Sequence, residues 1–140
     1  MTKRVPWQFG RNQKAWLRAL RSGNFEQTEG KLFDGEGYCC LGVACVVAGR
    51  TFRKDKLTGD YGIRKNENVY SDDLEEVLLP EDIRRKLKMR TSEGEPNKTY
   101  LENDVELYSA VEMNDNEGYD FDQIADAMAK NRQHYFTGPA

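Results

Sequence analysis

Apolar residues fall in short, well-bounded groups along this chain. After Asn12, read as an N-cap, Trp16, Leu17 and Leu20 follow at helical spacing until Ser22 and Gly23 end the run. The spacing predicts an amphipathic helix with Trp16 and Leu20 inward and Arg11, Lys14, Arg18 and Arg21 towards water. Residues 25–33 (F-E-Q-T-E-G-K-L-F) read as extended, and D-G-E-G at 34–37 is turn chemistry, so a strand or hairpin is expected there. From Cys39 to Ala48 the chain is apolar on every side. Ala44 and Ala48 favour helix, Val46 and Val47 favour strand, and Gly49 resembles a helix stop. A short buried central helix starting at Cys39 or Cys40 is the expectation.

Residues 50–70 are rich in Lys, Asn, Asp and Gly and predict irregular loops, with short edge strands around Gly62 and Ile63. In L-L-P-E-D-I-R-R-K-L (78–87), Pro80 stands near a helix start, Glu81 and Asp82 occupy the first turn, and the last turn is basic. Both ends then suit the helix dipole, with Ile83 and Leu87 inward. Residues 91–99 (T-S-E-G-E-P-N-K-T) read as a flexible loop. A helix over 104–113 would align Val105, Tyr108 and either Val111 or Glu112. Asp120 with Gln123 forms a capping-box pattern, followed by a core stripe of Phe121, Ile124, Ala125 and Met128. The tail from Gln133 is expected to fray. The sum is an α+β fold: three to five helices on a small, mainly antiparallel sheet, with a buried Cys-rich central helix. With 140 residues and neither repeat nor linker, residues 1–140 read as a single domain.

Composition sharpens this picture. Apolar residues make up 38% and charged residues 32%, so the core must be small and much of the chain solvated. Two Trp, six Phe and seven Tyr argue against disorder. A net charge of −3 argues against strong non-specific attraction to nucleic acid or to an anionic membrane. The signs are segregated nonetheless. Every charged side chain in residues 1–21 is basic, and every one in residues 101–129 is acidic. Either the two ends neutralise each other or they mark a partner surface; the first is favoured, because surface charges usually do little. The opening M-T-K-R-V-P-W-Q-F-G lacks a hydrophobic stretch, and residues 38–49 are too short to span a bilayer. Three cysteines cannot all pair, and neighbouring Cys39 and Cys40 would bridge only with strain. A cytoplasmic, reduced chain with no membrane association is expected.

Candidate chemistry centres on those thiols. At a helix N-terminus, Cys39 or Cys40 could have a lowered pKa and act as a nucleophile, with Asp115, Asn114 or His134 assisting. His134 is the sole histidine, and no spacing links it to either cysteine. Buried small residues are the simpler reading. C-C-x-x-x-x-C lacks a C-x-x-C knuckle, and adjacent helical cysteines diverge by about 100°, so neither metal nor cofactor is expected. In N-D-N-E-G-Y-D-F-D (114–122), aligning Gly118 with a calcium loop's glycine places Met113 and Ile124 at ligand positions, and the pattern fails. P-loop, G-x-G-x-x-G and G-x-S-x-G patterns are absent. Basic patches with aromatics occur at Arg4, Trp7, Phe9 and Arg11, and again at Arg50, Phe52, Arg53, Lys54 and Lys56. Either could hold phosphates or stack a base.

Several phrases occur in a telling order: W-L-R-A-L-R-S-G from Trp16, then Gln27, Y-C-C-L-G-V-A-C from Tyr38, L-P at Leu79, and M-N-D-N-E-G-Y-D-F-D-Q-I-A-D from Met113. This resembles a widespread family of small proteins encoded in bacteriophages, prophages and some bacterial genomes, with Met113 for Leu and Asp120 for Ser in the closing motif. The resemblance implies a source and not a reaction. Joined to the small size, the segregated charge and the weak catalytic set, it suggests an accessory protein of the host bacterial cytoplasm that binds a host protein or a small nucleotide-like ligand. Gln27, Asn114, Asp115 and Arg53 are the ligand-binding candidates. A small cysteine-dependent enzyme and an acidic nucleic-acid mimic built after Leu101 are the alternatives. Residues 50–100 have no counterpart in the family pattern and would carry this member's own loops.

Overall fold

A computed structural model describes residues 7–70, 73–97 and 106–140. Among these residues it shows an α+β fold of six helices and one three-stranded antiparallel sheet, in the order α1 (Arg11–Arg21), α2 (Cys40–Val47), β1 (Arg53–Lys54), β2 (Tyr61–Arg64), β3 (Leu74–Glu75), α3 (Glu81–Leu87), α4 (Ala110–Asp115), α5 (Phe121–Lys130) and α6 (Arg132–Tyr135). Buried apolar side chains from all six helices, together with Ile63 of β2, form one cluster. No helix among the described residues is long and apolar enough to cross a membrane.

Helix α1 buries Trp16, Leu17 and Leu20 and leaves its basic residues outside, as its spacing predicts. Its cap differs from expectation. Gly10, not Asn12, is the N-cap. The N–H groups of Asn12 and Gln13 donate to the Ala140 oxygen at 2.8 and 3.2 Å, and Gln13 Oε1 accepts from Gly10 N at 3.1 Å. Distant backbone therefore satisfies the first free donors of the helix, which starts before Asn12.

Helix α2 starts at Cys40, with Cys39 as its N-cap, and residues 40–45 are all buried. Cys39 Sγ accepts from the Gly42 N–H at 3.4 Å. Gly49 follows the Ala48 cap with φ +79, the left-handed geometry that favours glycine at a helix end. Trp16 Nε1 donates to Cys40 O at 2.9 Å, tying α1 to α2. The preceding 25–33 segment forms no regular strand, but the expected turn at 34–37 is present, with Phe33 bridging Tyr38 antiparallel across it and Gln27 bridging Tyr38 in parallel. Asp34 bends it, its carboxylate accepting from Glu36 N and Gly37 N at 2.9 and 2.7 Å and from Thr28 Oγ1 at 2.7 Å. Those bonds, the Gly37 N–H first, hold the Asp34 carboxyl down at about 2.

The sheet is ordered β1-β2-β3, pairing Arg53 with Gly62 and Ile63 with Glu75. Gly62 and Ile63 thus lie on the central strand, not an edge, because Ile63 must reach the core, where it is fully buried. Helix α3 matches its prediction, with Pro80 as N-cap and Ile83 and Leu87 buried. Arg50 reaches it through a mostly buried ion pair with Asp82 at 2.7 Å.

Two segments read as loose are anchored. In residues 91–97, Gly94 O accepts from Ala110 N at 2.9 Å and Asn97 N donates to His134 O at 2.7 Å, so this part is not a free loop. Lys98 and Thr99 lie outside the described residues. Tail residues His134, Tyr135 and Phe136 are buried rather than frayed, Phe136 bridging Met89. Their turn, α6, takes the helix number beyond five. Helix α4 begins at Ala110 and not near Asp104, because Ser109 and Glu112 form a reciprocal capping box with bonds of 3.0 and 3.1 Å. Asp104 and Val105 lie outside the described residues. Helix α5 carries the expected Asp120–Gln123 box and buries the expected Phe121, Ile124, Ala125 and Met128.

Candidate functional site

Gln27, Asn114 and Asp115 come together beside the N-terminus of α2. Asn114, buried at the end of α4, donates through Nδ2 to Thr28 O at 2.8 Å and to Asp115 Oδ1 at 2.9 Å. Its Oδ1 accepts from Gln27 Nε2 at 2.9 Å and from the Cys40 N–H at 3.2 Å. A backbone carbonyl on one side and a backbone N–H on the other fix which way the amide points. Two donors and two lone pairs are then all used, leaving no capacity for a ligand. Gln27 also donates to Tyr119 O at 2.9 Å, and Asp115 Oδ1 accepts from Gly30 N at 3.0 Å. This cluster is a latch that joins the 27–30 loop, α2 and the α4–α5 connection.

The cysteines sit under the latch. Cys39 is 6% exposed, while Cys40 and Cys45 are fully buried. Burial pushes the Cys39 thiol up to about 11, against the backbone N–H groups of Gly42 and Leu41, which pull it down. Burial likewise raises Cys40 and Cys45, and the Asp115 charge adds to the rise at Cys39 and Cys40. The lowered pKa expected at the helix N-terminus is therefore reversed, since desolvation outweighs the helix end. Cys40 Sγ is turned inward and donates to Ala110 O at 3.5 Å. In the folded protein, an alkylating reagent at neutral pH is expected to label none of the three thiols within the time that labels all three in denaturant, as read by intact mass. Rapid labelling of Cys39 in the native state would reinstate a reactive thiol.

The other two candidates lie elsewhere. His134 is buried on α6, with Nδ1 2.7 Å from Asn97 O, and serves to hold the 91–97 segment rather than a cysteine. Arg53 is exposed on β1, its guanidinium 5.6 Å from the Tyr70 ring centroid, with Arg64 at 5.3 Å from the same ring. Among the described residues, no group of three or more His, Cys, Asp or Glu side chains could hold a metal ion.

A different place has the form of a binding site. Between α1 and the α5–α6 end runs a groove of about 430 Å³, within the usual ~300–1,000 Å³ of small-molecule sites. Leu17 and Ala129 give it apolar surface, Lys14, Arg18, Arg21 and Arg132 give it charge, and Gln8 and Phe9 complete it. Lys14 and Arg18 have no ion-pair partner among the described residues. Arg21 pairs with Asp126 at 2.7 Å, with both side chains largely in water. Arg132 is held by Nε donating to Trp7 O at 3.1 Å and lies 5.8 and 5.5 Å from the Trp7 and Phe9 ring centroids. Among the described residues no carboxylate lines the groove; Asp126 offsets Arg21 at its edge, and the other three cations leave the field positive within an acidic protein.

Residues 10–132 match the model of a domain of unknown function, DUF8296. The chain belongs to that family. No curated protein and no solved structure matches it. The DUF8296 region contains the latch and all four groove cations, and it stops short of Phe9, Gln8 and His134.

The basic-aromatic patch at the N-terminus was a partial signal for this groove. Phe9 lines it, Trp7 supports Arg132, Arg11 points to solvent, and Arg4 lies outside the described residues. The spacing Lys14, Arg18, Arg21 would have shown a basic stripe, since i, i+4 and i+7 share a helix face. Nothing local marks Arg132 as the opposite wall.

Proposed function

We propose that this protein is a phage-type accessory protein that acts by non-covalent binding, and that its ligand is a small, phosphate-bearing, nucleotide-like molecule held in the α1 groove. The observation that carries the reading is the set of four cations converging on one cavity with an aromatic ring at its end. Arginine and lysine recognise phosphate by charge and by N–H donors, and an aromatic face accepts a base. The buried, protonated thiols speak against the cysteine-enzyme alternative. The nucleic-acid mimic is weakened too. Glu112 and Asp120 are engaged in capping boxes, Asp115 in the latch, and Asp126 with Arg21, so four of the nine carboxylates in residues 101–129 already serve the fold.

One observation favours a host-protein partner as a second reading. The exposed large hydrophobic side chains Leu57, Val69, Tyr70 and Val77 all lie in the segments that connect and follow strands β1 to β3, and none of them lines the groove.

The groove is tested by calorimetric titration with adenosine 5′-monophosphate. Saturable, salt-sensitive binding is expected, and Lys14→Ala with Arg18→Ala should weaken it about tenfold or more. Both side chains are exposed, so the melting temperature should hardly change. If neither adenosine monophosphate nor adenosine triphosphate gives saturable binding to the parent protein, the reading falls.

A further inference from the structure

We infer that the groove counts phosphates: it takes a nucleoside di- or triphosphate in preference to a monophosphate, with the base at the Gln8–Phe9 end and the phosphate chain running along α1 to Arg21. This inference rests on the nucleotide reading above. Lys14, Arg18 and Arg21 stand at i, i+4 and i+7 on one face of α1, so their Cα atoms span about 10 Å along the axis. Arg21 is already paired with Asp126 at 2.7 Å, so a single phosphate between Lys14 and Arg18 leaves that pair in place, whereas a chain of phosphates laid along the helix reaches it.

The groove also has a direction. Gln8 and Phe9 precede the helix, and Gln8 supplies an exposed amide suited to a base edge. Phe9 supplies a half-buried ring, packed edge-on against Trp7 and Phe136 with the Arg132 guanidinium 5.5 Å from its centroid, whose exposed part can meet a base. Arg132 lies at that same end, fixed by its bonds to Trp7 O and Ala129 O. At the far end Arg21 is occupied by Asp126. A ligand long enough to reach Arg21 exchanges one exposed ion pair for another, and a terminal phosphate, carrying more charge than a carboxylate, is the stronger partner. A monophosphate anchored at the Arg132 end never reaches this pair. Asp126 therefore acts as a competitor that only long phosphate chains must displace.

The test is calorimetric titration, in magnesium-free buffer at fixed ionic strength, with adenosine mono-, di- and triphosphate and with inorganic tripolyphosphate. Triphosphate is expected to bind about tenfold or more tighter than monophosphate. Arg21→Ala should weaken triphosphate binding about tenfold and monophosphate binding far less, so that the preference collapses. Asp126→Asn should tighten triphosphate binding about threefold to tenfold and leave monophosphate unchanged. Tripolyphosphate should bind about tenfold or more weaker than the nucleotide triphosphate, for want of a base to stack. Equal affinity for mono- and triphosphate, or an Arg21→Ala loss shared equally by both, would overturn phosphate counting while the nucleotide groove stands. Tripolyphosphate binding as tightly as the nucleotide would overturn the base end. If no nucleotide binds, both the groove reading and this one fall.

Discussion

Gly42→Ala is expected to destabilise the protein by about 2–4 kcal/mol, measured by denaturant unfolding of the purified chain. Elsewhere in a helix this substitution would help, since alanine is favoured over glycine by about 1 kcal/mol. Here a Cβ would lie 1.9 Å from the Leu32 carbonyl oxygen and 2.8 Å from its carbon. Both are backbone atoms and cannot rotate aside. The same oxygen accepts the Cys39 N–H at 3.1 Å, so pushing it away also strips a partner from the buried start of α2. Leu32 is itself fully buried, which leaves no free space for its segment to retreat into. An unchanged midpoint would mean that α2 and the Leu32 loop are not in the close contact described.

Asn114→Ala should cost a similar amount, about 2–4 kcal/mol, for a different reason. The substitution removes four hydrogen bonds at once and leaves the Cys40 N–H and Thr28 O without their side-chain partner. Gln27 is exposed and can turn to water, so its share of the loss is small. Asn114→Asp separates the donor and acceptor halves of the amide. The new carboxylate can still accept from Cys40 N and Gln27, but it cannot donate to Thr28 O or to Asp115. It instead sets a second negative charge beside Asp115, which raises the new group's folded-state pKa above that of an unfolded aspartate. A raised folded pKa means that the protonated form is preferred in the native state. The variant's deficit should therefore be smallest below about pH 4 and grow as pH rises towards 7. A deficit independent of pH would show that charge at the latch does not matter.

These two sites also mark how far a sequence can be read. The run of small and apolar residues from Cys39 correctly suggests a buried helix, and Gly42 looks there like a tolerated imperfection. Only the Leu32 carbonyl above it makes glycine obligatory. Asn114 and Asp115 are legible as unusually polar residues beside apolar elements, and Gln27 as part of a recurring phrase. That the three satisfy one another, and so form a latch rather than a ligand site, depends on a contact between residues 87 positions apart.

The sequence by itself determined whatever is decided within a turn or two of helix. The inward faces of α1, α3 and α5, the Asp120–Gln123 box and the left-handed Gly49 after α2 all rest on interactions between near neighbours. The Ser109–Glu112 box is as local, yet it was obscured by apolar residues upstream that suggested an earlier start. Tertiary structure alone decided the rest. It set Ala140 against the start of α1, buried His134 and its neighbours, made β2 the central strand, and put Arg132 in one groove with Lys14 and Arg18. The physical reason is common to all of these. Capping and periodicity act through bonds between residues three or four apart, whereas burial and groove formation depend on which distant surfaces meet, and a polar tail or a lone arginine carries no local mark of its eventual neighbour.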